Sequence, residues 1–117
     1  MNEKPIFIQL MEMVEDGILS GAYKVGDLVI SSTQICKLYN VNPATAIRAL
    51  SDLADDGVLV KDRGIGMRVT EQAYEIIVKR RKKNFMESML ETTIQESKKL
   101  GLSVDELIKL IKEKVNG

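Results

Sequence analysis

The sequence of 117 residues contains no histidine, no tryptophan, only two prolines and a single cysteine. The absence of histidine removes the commonest general base and the commonest zinc ligand. Cys36 cannot form an internal disulfide, and its apolar helical position is typical of a small packed side chain. The sequence shows neither a phosphate-binding P-loop nor a calcium-binding loop. We therefore expect no enzyme activity, no metal and no cofactor.

Long apolar runs and an excess of one charge are also missing. No stretch approaches the ~20 apolar residues that span a bilayer, and the N-terminus lacks a signal-peptide pattern, so we expect a cytoplasmic protein with no membrane partner. Residues 1–70 carry 7 basic and 9 acidic side chains, a net of −2, and residues 71–117 carry 10 and 8, a net of +2. A nucleic-acid binder usually has a basic footprint, so only the local placement of charge can favour that function.

The first half of the chain has helical periodicity followed by two helix starts. Residues 5–20 repeat apolar side chains at steps of three and four, which predicts an amphipathic helix from Pro5 to about Gly21, and residues 21–27 are expected to form a turn. Residues 31–34 (Ser-Ser-Thr-Gln) fit a capping box at the start of a short helix that ends near Tyr39.

A second helix follows the first after a very short turn. Asn42 as N-cap and Pro43 in the first turn predict its start, and Gly57 predicts its end. Two short capped helices separated by two residues are typical of a helix-turn-helix. The side chains that we expect the second helix to bury are Ala46, Ile47, Leu50, Leu53 and Ala54.

After Gly57 the pattern changes to one typical of strands. Residues 58–62 and 67–70 predict two short strands, and residues 63–66 (Arg-Gly-Ile-Gly) suit a tight hairpin between them. A helix-turn-helix followed by a hairpin is the winged-helix arrangement. We therefore predict a mainly α fold with a small β-hairpin wing, divided into a winged helix-turn-helix domain over residues 1–70 and a helical dimerisation tail over residues 71–117.

The tail is predicted to contain two helices. Residues 71–100 lack proline and glycine and predict one long helix, and Ser103 with Glu106 forms a capping box for the last helix. Two helices alone cannot bury their apolar faces, so we expect a second copy of the chain to cover these faces. An effector pocket is an alternative use of the methionines in the long helix. The residues assigned to the dimer contact are Phe85, Met86, Met89, Leu90, Leu107, Ile108 and Ile111.

The segment from Pro5 to Thr70 resembles the N-terminal domain of the GntR family of bacterial regulators. The matching pieces, in the family's order and spacing, are PIFIQL, ILSGAYKVGD, VNPATAIRAL, LADDGVLV and RGIGMRV. The short tail and the Val-Asn-Pro run at residues 41–43 are similar to the YtrA subfamily, which dimerises through its tail and lacks a large ligand-binding domain. The resemblance implies a homodimeric transcriptional regulator, more often a repressor, bound to a pseudo-palindromic DNA operator.

The resemblance also implies which residues contact DNA. Carried over by position, the family's contacts fall on Ser31, Thr45, Arg48 and Gly66. Thr33 stands where the family commonly has an arginine, and Ala44 stands where it has a polar residue. Together with basic side chains near the hairpin, the candidate DNA-binding residues are Ser31, Thr33, Pro43, Ala44, Thr45, Arg48, Arg63, Gly64, Gly66 and Arg68.

Several of these residues also have a purely structural interpretation. Arg48 suits a guanine or a phosphate, but it also suits an ion pair with Asp52 one turn later. Arg63 and Arg68 suit phosphate contacts, whereas hairpin geometry alone explains the two wing glycines.

Two alternatives concern larger features of the chain. The basic run at residues 79–83 spans more than one helical turn, so it is either a solvated surface or a region that steers DNA. A winged helix with a net charge of −2 also suits a protein–protein interaction module without specific DNA binding.

Overall fold

The structure is a computed structural model that describes residues 4–117; the first three residues of the predicted DNA-binding domain lie outside it. Two strands, β1 (Leu59–Asp62) and β2 (Gly66–Val69), form an antiparallel hairpin. No helix within the described residues is long and apolar enough to cross a membrane. The architecture is mainly helical with a small hairpin, as predicted. The helices are α1 (Ile6–Leu19), α2 (Ser32–Tyr39), α3 (Pro43–Asp55), α4 (Ala73–Asn84), α5 (Glu91–Lys99) and α6 (Val104–Asn116), with a π-helical segment at Phe85–Leu90.

Side-chain caps set the starts of α2 and α3, as predicted. Ser31 Oγ accepts a hydrogen bond from the Gln34 amide at 3.1 Å, and Gln34 Oε1 accepts one from the Ser31 amide at 2.9 Å. Asn42 Oδ1 accepts from the amide of Ala44 at 2.8 Å. Between the helices Asn40 takes a left-handed conformation with φ of 52°, which ends α2 and allows the sharp turn. Pro5 precedes the first residue of α1 instead of occupying it.

The core lies where α1, α2, α3 and the hairpin meet. Val14, Ile35, Leu53 and Val58 are among its fully buried side chains. The buried face of α3 consists of Ala46, Ala49, Leu50 and Leu53, whereas Ala54 is only half-buried.

The prediction that Ile47 is buried is wrong, since 54% of its surface is exposed. The physical reason is helical geometry: each residue turns the helix by about 100°, so Ile47 lies well away from Ala46 and points off the buried face.

A third chain segment pairs with the hairpin. The Gly26 amide donates to the Val69 carbonyl at 2.9 Å, the Val69 amide to the Asp27 carbonyl at 3.0 Å, and the Val29 amide to the Met67 carbonyl at 3.0 Å. Residues 26–29 thus hold β2 from the side opposite β1. The sequence predicts a turn for part of this segment, because four residues are too few to show strand periodicity.

The chain forms two compact units, a first unit that ends at Lys79 and a second unit over Arg80–Gly117. Ala73 and Ile77 of α4 are fully buried in the core cluster of the first unit, so this unit extends beyond the boundary we predicted after Thr70. Helical conformation continues from Ala73 to Lys99, close to the predicted long helix, but it includes the π-helical segment that the sequence did not indicate. In α6 no residue is buried.

Candidate nucleic-acid interface

The N-terminus of α2, the exposed side of α3 and the hairpin surround an open groove of about 470 Å³ in the first unit. Ser31 lines it from the α2 end, Ile47 from α3, and Gly64 and Gly66 from the hairpin. Three of the predicted DNA-binding residues are therefore brought together around one concave surface, which we name the α3–wing groove.

The N-terminus of α2 presents hydroxyl groups. The Ser31 oxygen accepts the Gln34 amide, so the hydroxyl hydrogen remains available to an external acceptor such as a phosphate oxygen. Thr33 is exposed in the first turn of α2. The hydroxyl of Thr33 can act as a donor or an acceptor, but it does not carry the charge of the arginine that the family commonly has at this position.

The first turn of α3 is exposed and uncharged. Pro43 and Ala44 are exposed and Thr45 is half-buried. The amide of Thr45 donates to the Asn42 carbonyl at 3.0 Å, so this turn is already hydrogen-bonded within the chain. The turn offers an external partner two apolar side chains, one hydroxyl and the positive end of the helix dipole.

Arg48 is held by two neighbours and yet remains accessible. Its guanidinium carbon lies 3.6 Å from the centroid of the Phe7 ring, a cation–π contact between α3 and α1. Its Nε lies 3.8 Å from Asp52 Oδ2, so the predicted ion pair is present but long and exposed, which makes it weak. Because 62% of the side chain is exposed, a phosphate can still reach it. The DNA contact of Arg48 stays a prediction.

The two arginines near the hairpin have different surroundings. Arg68 Nε donates to Asp62 Oδ2 at 2.6 Å, and Arg68 Nη1 donates to the Gly26 carbonyl at 2.8 Å. Arg68 therefore ties β2 to both of its neighbours, a structural role that the sequence analysis missed. Arg63, at the tip, is exposed and has no ion pair within residues 4–117, which makes it the better of the two candidates for a phosphate contact.

The two glycines at the tip of the hairpin allow its turn, and they leave the backbone there without covering side chains. Gly64 and Gly66 have φ of 74° and 146°, and the Ile65 amide donates to the Asp62 carbonyl at 3.0 Å to close the turn. A Cβ added at Gly64 would meet nothing within 4 Å. The tip backbone is thus open to a close approach by another molecule.

A family model described as "Bacterial regulatory proteins, gntR family" matches residues 8–69, which is more than half of the chain. The chain belongs to the GntR family. This result confirms the resemblance seen in the sequence, and the family is one of regulatory proteins and not of enzymes, in agreement with the expectation from the sequence. Relatives that match this chain are described as HTH-type transcriptional regulators or repressors.

Individual GntR-family relatives match this chain over different lengths. The HTH-type transcriptional repressor YtrA of Bacillus subtilis (strain 168) is 27% identical over 109 residues, which are 93% of this chain and 83% of YtrA. The uncharacterized HTH-type transcriptional regulator YurK of the same strain is 31% identical over 86 residues, 72% of this chain. The chain spans only 36% of the length of YurK.

The fold of the chain is also that of a solved GntR-family structure. A putative GntR-family transcriptional regulator from Bacteroides thetaiotaomicron superposes with a TM-score of 0.77 and 28% identity, covering 96% of this chain and 97% of that one. The predicted winged-helix fold is thereby confirmed.

The residues predicted to form a dimer contact lie in the second unit of this GntR-family chain, and most are uncovered. Leu107 is half-buried, and the other six are exposed. The exposed members of this set are Phe85, Met86, Met89, Leu90, Ile108 and Ile111. A single chain therefore leaves a large apolar surface in contact with water.

Proposed function

We propose that this GntR-family protein is a sequence-specific repressor that occupies a pseudo-palindromic operator as a homodimer in the cytoplasm. One observation carries the proposal: the N-terminus of α2, the exposed side of α3 and the wing tip all open onto the α3–wing groove. In helix-turn-helix proteins the second helix of the motif enters the major groove, and the neighbouring elements contact the backbone. In this chain α3 is that recognition helix.

The contacts divide into two classes. Three kinds of group bind phosphates and fix the position of the protein on DNA. They are the hydroxyls of Ser31 and Thr33, the guanidinium groups of Arg48 and Arg63, and the exposed backbone at Gly64 and Gly66. The first turn of α3, with Pro43, Ala44 and Thr45, faces base edges. Arg68 supports the wing from within the protein.

The homodimer is supported by the exposed apolar side chains of the second unit. Large exposed apolar surfaces often mark protein–protein interfaces. The match with YtrA extends over both units, and the printed description of YtrA as a repressor supports that mode of regulation here. Two copies would place their recognition helices about 34–36 Å apart, in successive major grooves.

In vitro selection tests the proposal. The full-length protein would be used to enrich duplexes from a random library, and fluorescence anisotropy at near-physiological salt would compare the enriched duplex with a scrambled duplex of equal composition. We expect a preference of about a thousandfold or more. Equal, weak binding to both duplexes would instead favour a protein–protein interaction module.

A salt titration tests the wing assignment. Replacing Arg63 with alanine removes one phosphate contact from each protomer of the dimer, so the slope of log affinity against log salt concentration should become shallower by about 1.8, which is 0.9 for each contact. Lys99→Ala removes the same charge from an exposed side chain of the second unit and serves as the matched control. An unchanged slope for Arg63→Ala would remove Arg63 from the interface.

A further inference from the structure

On the side of α3 that borders the α3–wing groove the exposed side chains are apolar, and Ser51, the polar residue of α3 that lines the groove, is half-buried. Ala44 and Ile47 are exposed, Ile47 lines the groove, and Ile65 lines it from the wing. Arg48 is the only basic residue of α3, and it points to the Phe7 ring of α1. The helix thus offers no cation on its groove side.

The charges near this apolar strip lie on the wing side of the groove. Lys61 and Arg63 are exposed basic side chains of the wing, and Lys61 lines the groove. Asp62 also lines the groove, but its carboxylate is paired with Arg68 at 2.6 Å. An apolar strip beside cations of the wing fits a polyanion with apolar groups on its inner edges better than it fits an apolar protein surface.

The major groove of DNA contains one such apolar group. Arginine or lysine reads guanine and asparagine or glutamine reads adenine through paired hydrogen bonds, whereas the 5-methyl group of thymine is read by apolar contact. The groove side of α3 carries no residue of the first two kinds. Asn42 lies at the start of the helix, but its side-chain oxygen is already bonded to the Ala44 amide.

We propose that Ile47, with Ala44 three residues before it, reads thymine 5-methyl groups, so that T·A pairs supply much of the specificity of each half-site. The inference rests on the proposed function, which places α3 in the major groove. Ile47 is then a specificity-determining residue, and the arginines at the edges of the interface position the protein without reading sequence.

Removal of the methyl group from DNA tests this directly. In the duplex enriched by in vitro selection, each thymine of a half-site would be replaced in turn, together with its symmetry-related partner in the other half-site, by deoxyuridine, which pairs like thymine but lacks the 5-methyl group. We expect at least one such paired replacement to weaken binding of the wild-type dimer by about 10- to 100-fold, which is 3- to 10-fold for each half-site.

The same duplexes with Ile47→Ala complete a thermodynamic cycle. The variant dimer should lose about 10- to 100-fold in affinity on the thymine duplex. On the sensitive duplex with deoxyuridine in both half-sites it should lose less than about twofold, because both contacts are already lost. Val60 has nearly the same exposure, 53%, and does not line the groove, so Val60→Ala is the matched control and should bind both duplexes like wild type. Ile47→Ala should still fold, because the side chain is exposed and alanine favours helix.

The possible failures are distinct. Wild-type binding within about twofold on every deoxyuridine duplex would overturn the inference, as would an equal loss for Ile47→Ala on both duplexes. If selection enriched no sequence at all, the proposed function would fail before the thymine test began.

Discussion

At the scale of single residues, Gly17 in α1 is constrained by an aromatic neighbour. A Cβ at this position would lie 2.7 Å from Tyr23 Cδ2 and 2.9 Å from Cε2, closer than such atoms approach. The ring is fixed in turn, because its hydroxyl accepts the Ile30 amide at 3.2 Å. Glycine-to-alanine changes inside helices usually stabilise by about 1 kcal/mol. Here we expect Gly17→Ala to lower the free energy of unfolding by about 1–3 kcal/mol, measured by urea unfolding.

The control for this prediction removes the ring. In a Tyr23→Ala background the clash is absent, so adding Gly17→Ala should be neutral or stabilising relative to Tyr23→Ala alone. A Gly17→Ala protein more stable than wild type would show that the ring moves aside without cost.

Among single residues, local sequence patterns predict the caps correctly but not every buried or structural side chain. The caps at Ser31 and Asn42 are confirmed because they depend only on residues two or three positions away. Ile47 was misassigned, since helical periodicity alone does not show how wide the buried face of α3 is. The role of Arg68 depends on Gly26, 42 positions earlier in the chain, which no local pattern indicates.

At the scale of elements, the capping box of α6 has an electrostatic consequence. The Ser103 amide donates to Glu106 Oε1 at 3.1 Å, and the Glu106 amide donates to Ser103 Oγ at 3.1 Å. The pKa of the Glu106 carboxyl lies below its ordinary value of 4.5. The larger cause is its hydrogen bond with the Ser103 backbone, and the smaller cause is its hydrogen bond with the Ser103 side chain. Because the folded-state pKa is lowered, the stabilisation is present above pH 4.5 and is lost as the pH falls through the lowered pKa.

We therefore expect the first turn of α6 to lose hydrogen-exchange protection on acidification, and NMR of the Glu106 side chain should give a titration midpoint below 4.5. Glu106→Gln should remove the pH dependence and keep the cap, as glutamine does at residue 34. A midpoint at or above 4.5 would mean that the capping box does not persist in solution.

Elements also differ in how well the sequence predicts them. The long helix was expected from the lack of proline and glycine, and it is found from Ala73 to Lys99. The π-helical segment inside it, Phe85–Leu90, has no local sequence signature, because a single extra residue per turn changes no cap and no breaker. The pairing of residues 26–29 with β2 was missed because it depends on tertiary contacts.

At the scale of the whole molecule, the first unit should require the start of α4. Ala73 and Ile77 are fully buried in its core, and removing a buried isoleucine side chain alone costs about 2–5 kcal/mol. A fragment of residues 1–79 should therefore unfold cooperatively in urea, whereas a fragment of residues 1–70 should be less stable by at least several kcal/mol. Equal stability of the two fragments would return the boundary to Thr70.

The apolar surface of the second unit leads to a prediction about assembly. Ile108 and Ile111 lie three residues apart on one face of α6, and both are exposed in the single chain. If a second copy covers them, Ile108→Glu with Ile111→Glu would bury charges at the interface, and the protein should sediment as a monomer. Wild-type protein should sediment as a dimer under the same conditions.

Lys109→Glu is the matched control, because Lys109 lies about 100° or more around α6 from each isoleucine. The substitution changes the net charge by the same −2 as the two isoleucine substitutions. This control should remain a dimer, so a shift confined to the isoleucine variant would come from the apolar face and not from charge. The monomeric variant should also bind the selected operator much more weakly, since its two half-sites are no longer linked. Wild-type protein that sediments as a monomer would contradict the homodimer, while single half-site binding by α3 and the wing would still stand.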